Sequence, residues 1–120
     1  MGKFSSFEEI AFWQKARSLN KKIYLVTDSD NFKKDFDLAR QIRRCSVSIS
    51  SNIAEGFERN TDKEFAHFLY IAKGSAGEVR SQLYLASDLN YITQGVFEEL
   101  LADVTEISKL LSGFIKYLNK

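Results

Sequence analysis

The chain has 120 residues, is 44% hydrophobic and carries a formal net charge of +1. This is the size of one domain with a real core, residues 1–120 throughout, and the near-neutral balance excludes a global electrostatic pull toward nucleic acid. A single cysteine excludes an internal disulfide and favours a reducing compartment, and no apolar run approaches the roughly 18 residues of a membrane span.

The opening "MGKFSSFEEI" lacks the apolar core of a signal peptide, so a cytoplasmic, bacterial-type protein away from membranes is expected. Proline is absent, which suits long unbroken helices. The charge is unevenly spread: residues 1–60 hold 11 Lys/Arg against 8 Asp/Glu, and residues 61–120 hold 6 against 8.

Four helical segments are predicted. The first opens at Ser6, with Glu9 three residues on as a capping box. Phe12, Ala16, Leu19, Ile23 and Val26 follow at alternating four and three spacings, as one buried stripe. "TDSDN" (27–31) reads as the turn that ends it.

The second helix starts near Asp35 and runs to about Glu55, with Leu38, Ile42, Cys45, Ile49 and Ile53 facing the core. Gly56 is expected to stop it by adopting positive φ. "SVSISSNIAEGFERN" (46–60) is an odd helix sequence, because serine and asparagine compete for backbone hydrogen bonds. Small side chains there imply close packing against more than one neighbour. The outer face runs Arg40, Arg43, Arg44, then Val47, Ser50, Ser51 and Ala54, basic at one end and small at the other. Asn52 falls near the core edge, where a polar residue can fix register, and Glu55 can pair with Arg59 or with a backbone donor near the helix end.

Thr61 with Glu64 opens the third helix through a second capping box. Phe65, Leu69, Ala72, Ala76, Val79, Leu83 and Ala86 form its core stripe. The opposite side holds Tyr70, Ile71, Tyr84, Leu85, Tyr91 and Ile92, with small Gly74, Gly77 and Ser81 between them. A helix apolar on both sides is normally buried on both sides, so this face calls for a partner, most simply another copy of the chain. The alternative is one wide face whose tyrosines reach water. Thr93 caps the fourth helix, and Phe97, Leu100, Leu101, Val104, Ile107, Leu111, Phe114 and Leu118 carry it to the end. Four long amphipathic helices with short connections predict an all-α, antiparallel up-down-up-down four-helix bundle.

No catalytic constellation emerges, and no metal or other cofactor is expected. His67 stands alone, and the single Glu64-x-x-His67 pair lacks the second pair a carboxylate-bridged metal site needs. Cys45 lies on the core stripe as a small hydrophobe. Glu98, Glu99, Asp103 and Glu106 read as a solvated face. The remaining signal is basic: Arg40, Arg43 and Arg44 on one helical face, with Lys33, Lys34 and Arg59 in support and Lys21 and Lys22 ending the first helix. Such clusters make phosphate contacts to RNA or DNA, or are solvated surface that pairs with Asp37 and the acidic fourth helix.

"QIRRCSVSISSNIAEGFER" followed by "KEFAHFLYIAKGSAGEVRSQLYLASDLNYI" resembles the four-helix-bundle proteins encoded in intervening sequences of bacterial 23S ribosomal RNA genes. The resemblance spans nearly the whole chain. It implies a bundle assembling as a homo-oligomer, a ring-shaped pentamer. A related branch is accessory to the reverse transcriptases of diversity-generating retroelements, which implies a nucleic-acid-binding partner. The signature positions matched are Asn52, Glu55, Gly56, Arg59, Gly74, Ser75 and Glu78, without assigned chemistry. The family's proline and Tyr-Gly pair ahead of the second helix is replaced here by "FKKDFDL". The expectation is a non-enzymatic oligomer that binds RNA or DNA through its basic face, as an accessory to a nucleic-acid-processing complex. The alternative is a scaffold that docks a partner protein through the outer face of the third helix.

Overall fold

The computed structural model describes residues 4–120; the first three residues of the segment read for a leader lie outside them. The described chain is all-α, with five helices and no strand: α1 (Ala11–Thr27), α2 (Asp30–Lys33), α3 (Phe36–Phe57), α4 (Asp62–Asp88) and α5 (Gln94–Leu118). It is a rod of 45 × 19 × 19 Å. Among these residues no helix is long and apolar enough to cross a membrane.

The start of α1 differs from expectation. Ser6 makes no side-chain cap bond; Phe7–Glu9 form one 3-10 turn, and α1 begins at Ala11. Tertiary docking explains the shift. Ile10 is fully buried and Phe7 packs edge-on against Trp13 at 5.1 Å, which bends the chain ahead of the helix. Glu9 still reaches back, accepting from the Ser5 N–H at 3.0 Å. At the other end Thr27, not the half-buried Val26, completes the stripe, with its hydroxyl satisfied by the Ile23 carbonyl at 2.7 Å.

The turn read at 27–31 gives way at Asp30 to α2, which drives Phe32 fully into the core against the Tyr91 ring at 5.3 Å. Asp35 then caps α3 by accepting from the Leu38 N–H at 3.1 Å. Thr61 and Thr93 cap α4 and α5 through the Glu64 and Val96 N–H groups at 3.1 and 3.2 Å, as their motifs predict. The Gly56 stop is incorrect. Gly56 lies inside α3 without positive φ, and a Cβ there would stand 2.7 Å from Phe68 Cβ and 3.2 Å from the Phe65 carbonyl oxygen. Its role is close approach between α3 and α4.

Among the described residues the one with positive φ is Asn90, at 61°, after α4. Its N–H bonds Ser87 O and the Tyr91 N–H bonds Ala86 O at 2.9 Å, a Schellman arrangement that closes the helix. Tyr91 and Ile92 therefore lie beyond α4, not on its outer face. Ile92 is buried, and the Tyr91 hydroxyl donates to Asp35 Oδ2 at 2.9 Å.

The serine-rich half of α3 meets a helix on each flank. Toward α1, Ser46 donates to Asn20 Oδ1 at 2.7 Å and Asn20 Nδ2 donates to Ser50 Oγ at 2.9 Å. Ser50, expected on the outer face, is buried in this seam. Toward α4, Ser48 and Ser75 share a hydroxyl bond at 2.9 Å, and Asn52 Nδ2 donates to Ser48 O and Oγ. Small polar residues let three backbones converge while every buried hydroxyl keeps a partner. Cys45 sits in the same α3–α4 layer, near Gln82 at 3.7 Å. Burial pushes its thiol up and the Glu78 charge adds to this, while the Gln82 hydrogen bond and the Arg44 charge pull the other way.

The remaining core follows the predicted stripes closely. Leu101 and Phe114 are only half-buried, and Ile115 is buried in addition. The acidic side of α5 is not merely solvated: Lys22 binds Asp103 and Glu99 at 2.8 and 2.9 Å, and Lys15 binds Glu106 at 3.4 Å.

Candidate functional site

One end of the rod gathers most of the basic residues picked out in the sequence. Thr27 ends α1, α2 turns the chain, and the Asp35 cap aims α3 back along the rod. The groove enclosed has a volume of about 490 Å³, lined in part by Lys33, Lys34, Phe36, Arg40 and Arg43. Four cations and one carboxylate, Asp28, are among its lining residues.

The guanidiniums are held by different means. Arg43 Nε donates to the buried Thr27 Oγ1 at 2.7 Å, and its planar group lies 4.7 Å from the Tyr24 ring centroid. Arg40 lies 5.4 Å from the centroid of Phe36, one helical turn before it. Stacking on an aromatic face leaves the in-plane N–H donors free for an anion. Phe36 is 66% exposed, a large apolar ring left in water beside four positive charges.

Two predicted members fall elsewhere. Arg44 does not line the groove; it is exposed, and its charge acts on the neighbouring Cys45. Arg59 follows the far end of α3, about 25 Å along the helix from Arg40. It is paired with Glu55 at 2.9 Å and stacked over Phe68 at 4.8 Å. Tyr24, Thr27 and Phe36 belong to the site and were not singled out. The available signal was an aromatic four residues before an arginine, Phe36 and Arg40.

The second candidate surface is the outer side of α4. Tyr70, Ile71, Tyr84 and Leu85 are all exposed there. The Tyr84 ring also rests edge-on against Phe97 at 5.1 Å. Gly74 and Gly77, on the same side, have nothing within 4 Å of a Cβ position. Among the signature positions, Ser75 is buried in the polar seam, Glu78 is exposed, and Asn52, Glu55 and Gly56 serve the internal contacts already described. Among the described residues no group of three His, Cys, Asp or Glu side chains could hold a metal ion.

The family model of the 23S rRNA-intervening sequence protein matches residues 8–113, from the 3-10 turn to the last turns of α5. The chain belongs to that family. A crystal structure from Bacteroides thetaiotaomicron VPI-5482, described as a protein of unknown function from the S23 ribosomal protein family, has a TM-score of 0.82 and 31% identity. It covers 88% of this chain and 99% of its own. No curated protein matches. Family membership thus brings no reaction with it, and the groove and the α4 face are the features of this member that need a role.

Proposed function

We propose that this family member is a non-enzymatic, cytoplasmic, oligomeric bundle that binds RNA or DNA through the groove between α1, α2 and α3. The carrying observation is that Lys33, Lys34, Arg40 and Arg43 line one groove whose lining holds a single carboxylate, Asp28. Phosphate neutralisation by such a group gives affinity that falls steeply with salt. Opposed numbering across neighbours supports the antiparallel up-down-up-down arrangement: Thr27 meets Arg43 while Asn20 meets Ser46, and Lys22 meets Asp103 while Lys15 meets Glu106.

Self-association through Tyr70, Ile71, Tyr84 and Leu85 is the second part of the reading, with a pentamer as the state the family resemblance implies. Repeating the groove around an assembly would add weak contacts by avidity, as suits an accessory to a nucleic-acid-processing complex. The test is titration of a fluorescent structured RNA and a DNA duplex at low and physiological salt. The Lys34→Glu/Arg40→Glu variant should lose salt-sensitive binding and keep its solution mass. Absence of binding by the parent protein at low salt overturns this reading.

The exposed α4 face favours a second reading, a scaffold for a partner protein with no nucleic acid. Ile71→Glu with Leu85→Lys should lower the mass in solution if the face joins copies. An unchanged mass removes self-association through it.

A further inference from the structure

Resting on the groove as a nucleic-acid site, we infer that its ligand is an unpaired strand, with a base stacked on Phe36. A purely electrostatic duplex site would need only the cations. Here the most exposed aromatic ring in the groove is set among them. Phe36 is 66% exposed and lines the groove with Lys33, Lys34 and Arg40. Water is a poor environment for that ring, and nothing in the fold of α3 requires it: Asp35 already caps the helix, and Leu38 and Ala39 provide its first buried contacts. A second aromatic, Tyr24, lies beside the groove under Arg43 and is also about half exposed.

Aromatic platforms interleaved with cations are how single strands are held, because every base has a π face and the backbone phosphates run alongside. Bases in a duplex are stacked on one another and cannot offer a face to Phe36. About three phosphate contacts by the groove's four cations to a single strand predict a slope of about −2 in log affinity against log salt.

The experiment compares a fluorescein-labelled 12-nucleotide single strand with a blunt-ended duplex formed from that strand and its complement, as both RNA and DNA. The proteins are the parent, Phe36→Leu and Lys34→Glu/Arg40→Glu. Phe36→Leu keeps an apolar side chain at an exposed position, and circular dichroism checks that each variant is folded. The parent should prefer the single strand. Phe36→Leu should weaken that binding about tenfold with an unchanged salt slope, and leave duplex binding alone. The double reversal should flatten the slope. Equal affinity for duplex and single strand, with Phe36→Leu silent, overturns the stacking inference and leaves the basic groove standing. Absence of binding to either overturns both.

Discussion

Thr27 and Gly56 show how much one atom decides here. The Thr27 hydroxyl is fully buried, donates within α1 and receives Arg43 Nε from α3. Thr27→Val keeps the shape and removes the acceptor, so an N–H is left without its partner. The cost of such a loss is about 1–3 kcal/mol. Arg43 is only half-buried, so the lower end is expected, read as a lower urea midpoint with an unchanged m-value. Gly56→Ala sets two effects against each other. Alanine raises helix propensity by about 1 kcal/mol. The new methyl would meet a Cβ and a backbone carbonyl that cannot rotate away, and overpacking of that kind costs about 1–3 kcal/mol. A net loss of about 1 kcal/mol is expected in the same urea experiment.

Element by element, the core stripes were legible because a helix packed on one side repeats its apolar residues every three or four positions, and α3, α4 and α5 do so over many turns. The caps at Thr61 and Thr93 and the helix start near Asp35 were legible because capping is local chemistry. Ser6 was misread for the same reason: the local motif is present, but Phe7 and Ile10 dock elsewhere and decide the start. Phe32 was hidden among turn-forming residues. Of the basic cluster, Lys33, Lys34, Arg40 and Arg43 converge. Arg44 is turned away by the 100° between successive helical residues, and Arg59 by the length of α3. The outer side of α4 gives an element-scale prediction. Gly74 and Gly77 have open space around them, so alanine at both should raise the stability of an isolated chain by about 1 kcal/mol each. If copies associate closely along this side, as proposed, the added methyls should weaken assembly. Sedimentation should then show a lower mass. A stabilised variant of unchanged mass would leave the face to solvent.

Across the whole molecule, two contacts tie the groove end together and both are sensitive to alkali. Hydrogen bonds to Asp103 and then Glu99 raise Lys22 above its ordinary 10.5, joining α1 to α5. The hydrogen bond to Asp35 raises Tyr91 above its ordinary 10.0, joining the α4–α5 turn to the cap of α3. A group raised on folding stabilises the fold below its unfolded pKa, and this contribution disappears as pH climbs through the folded value. Thermal midpoints should therefore fall on the alkaline side of pH 10. Lys22→Met and Tyr91→Phe should each show a shallower fall than the parent over that range. Equal slopes would mean these contacts are too solvated to matter.

The packing of Trp13 against Phe7 has a spectroscopic consequence. It is the one tryptophan in the chain, and it sits near the start of α1, while Tyr24 and Thr27 meet the groove near its end. Eleven residues of helix separate Trp13 from Tyr24, about 16 Å. A nucleobase seated in the groove is too far to quench the indole by contact. Emission that shifts during a titration would therefore report motion transmitted along α1, and emission that stays constant while anisotropy rises would mark the rod as rigid between its two ends.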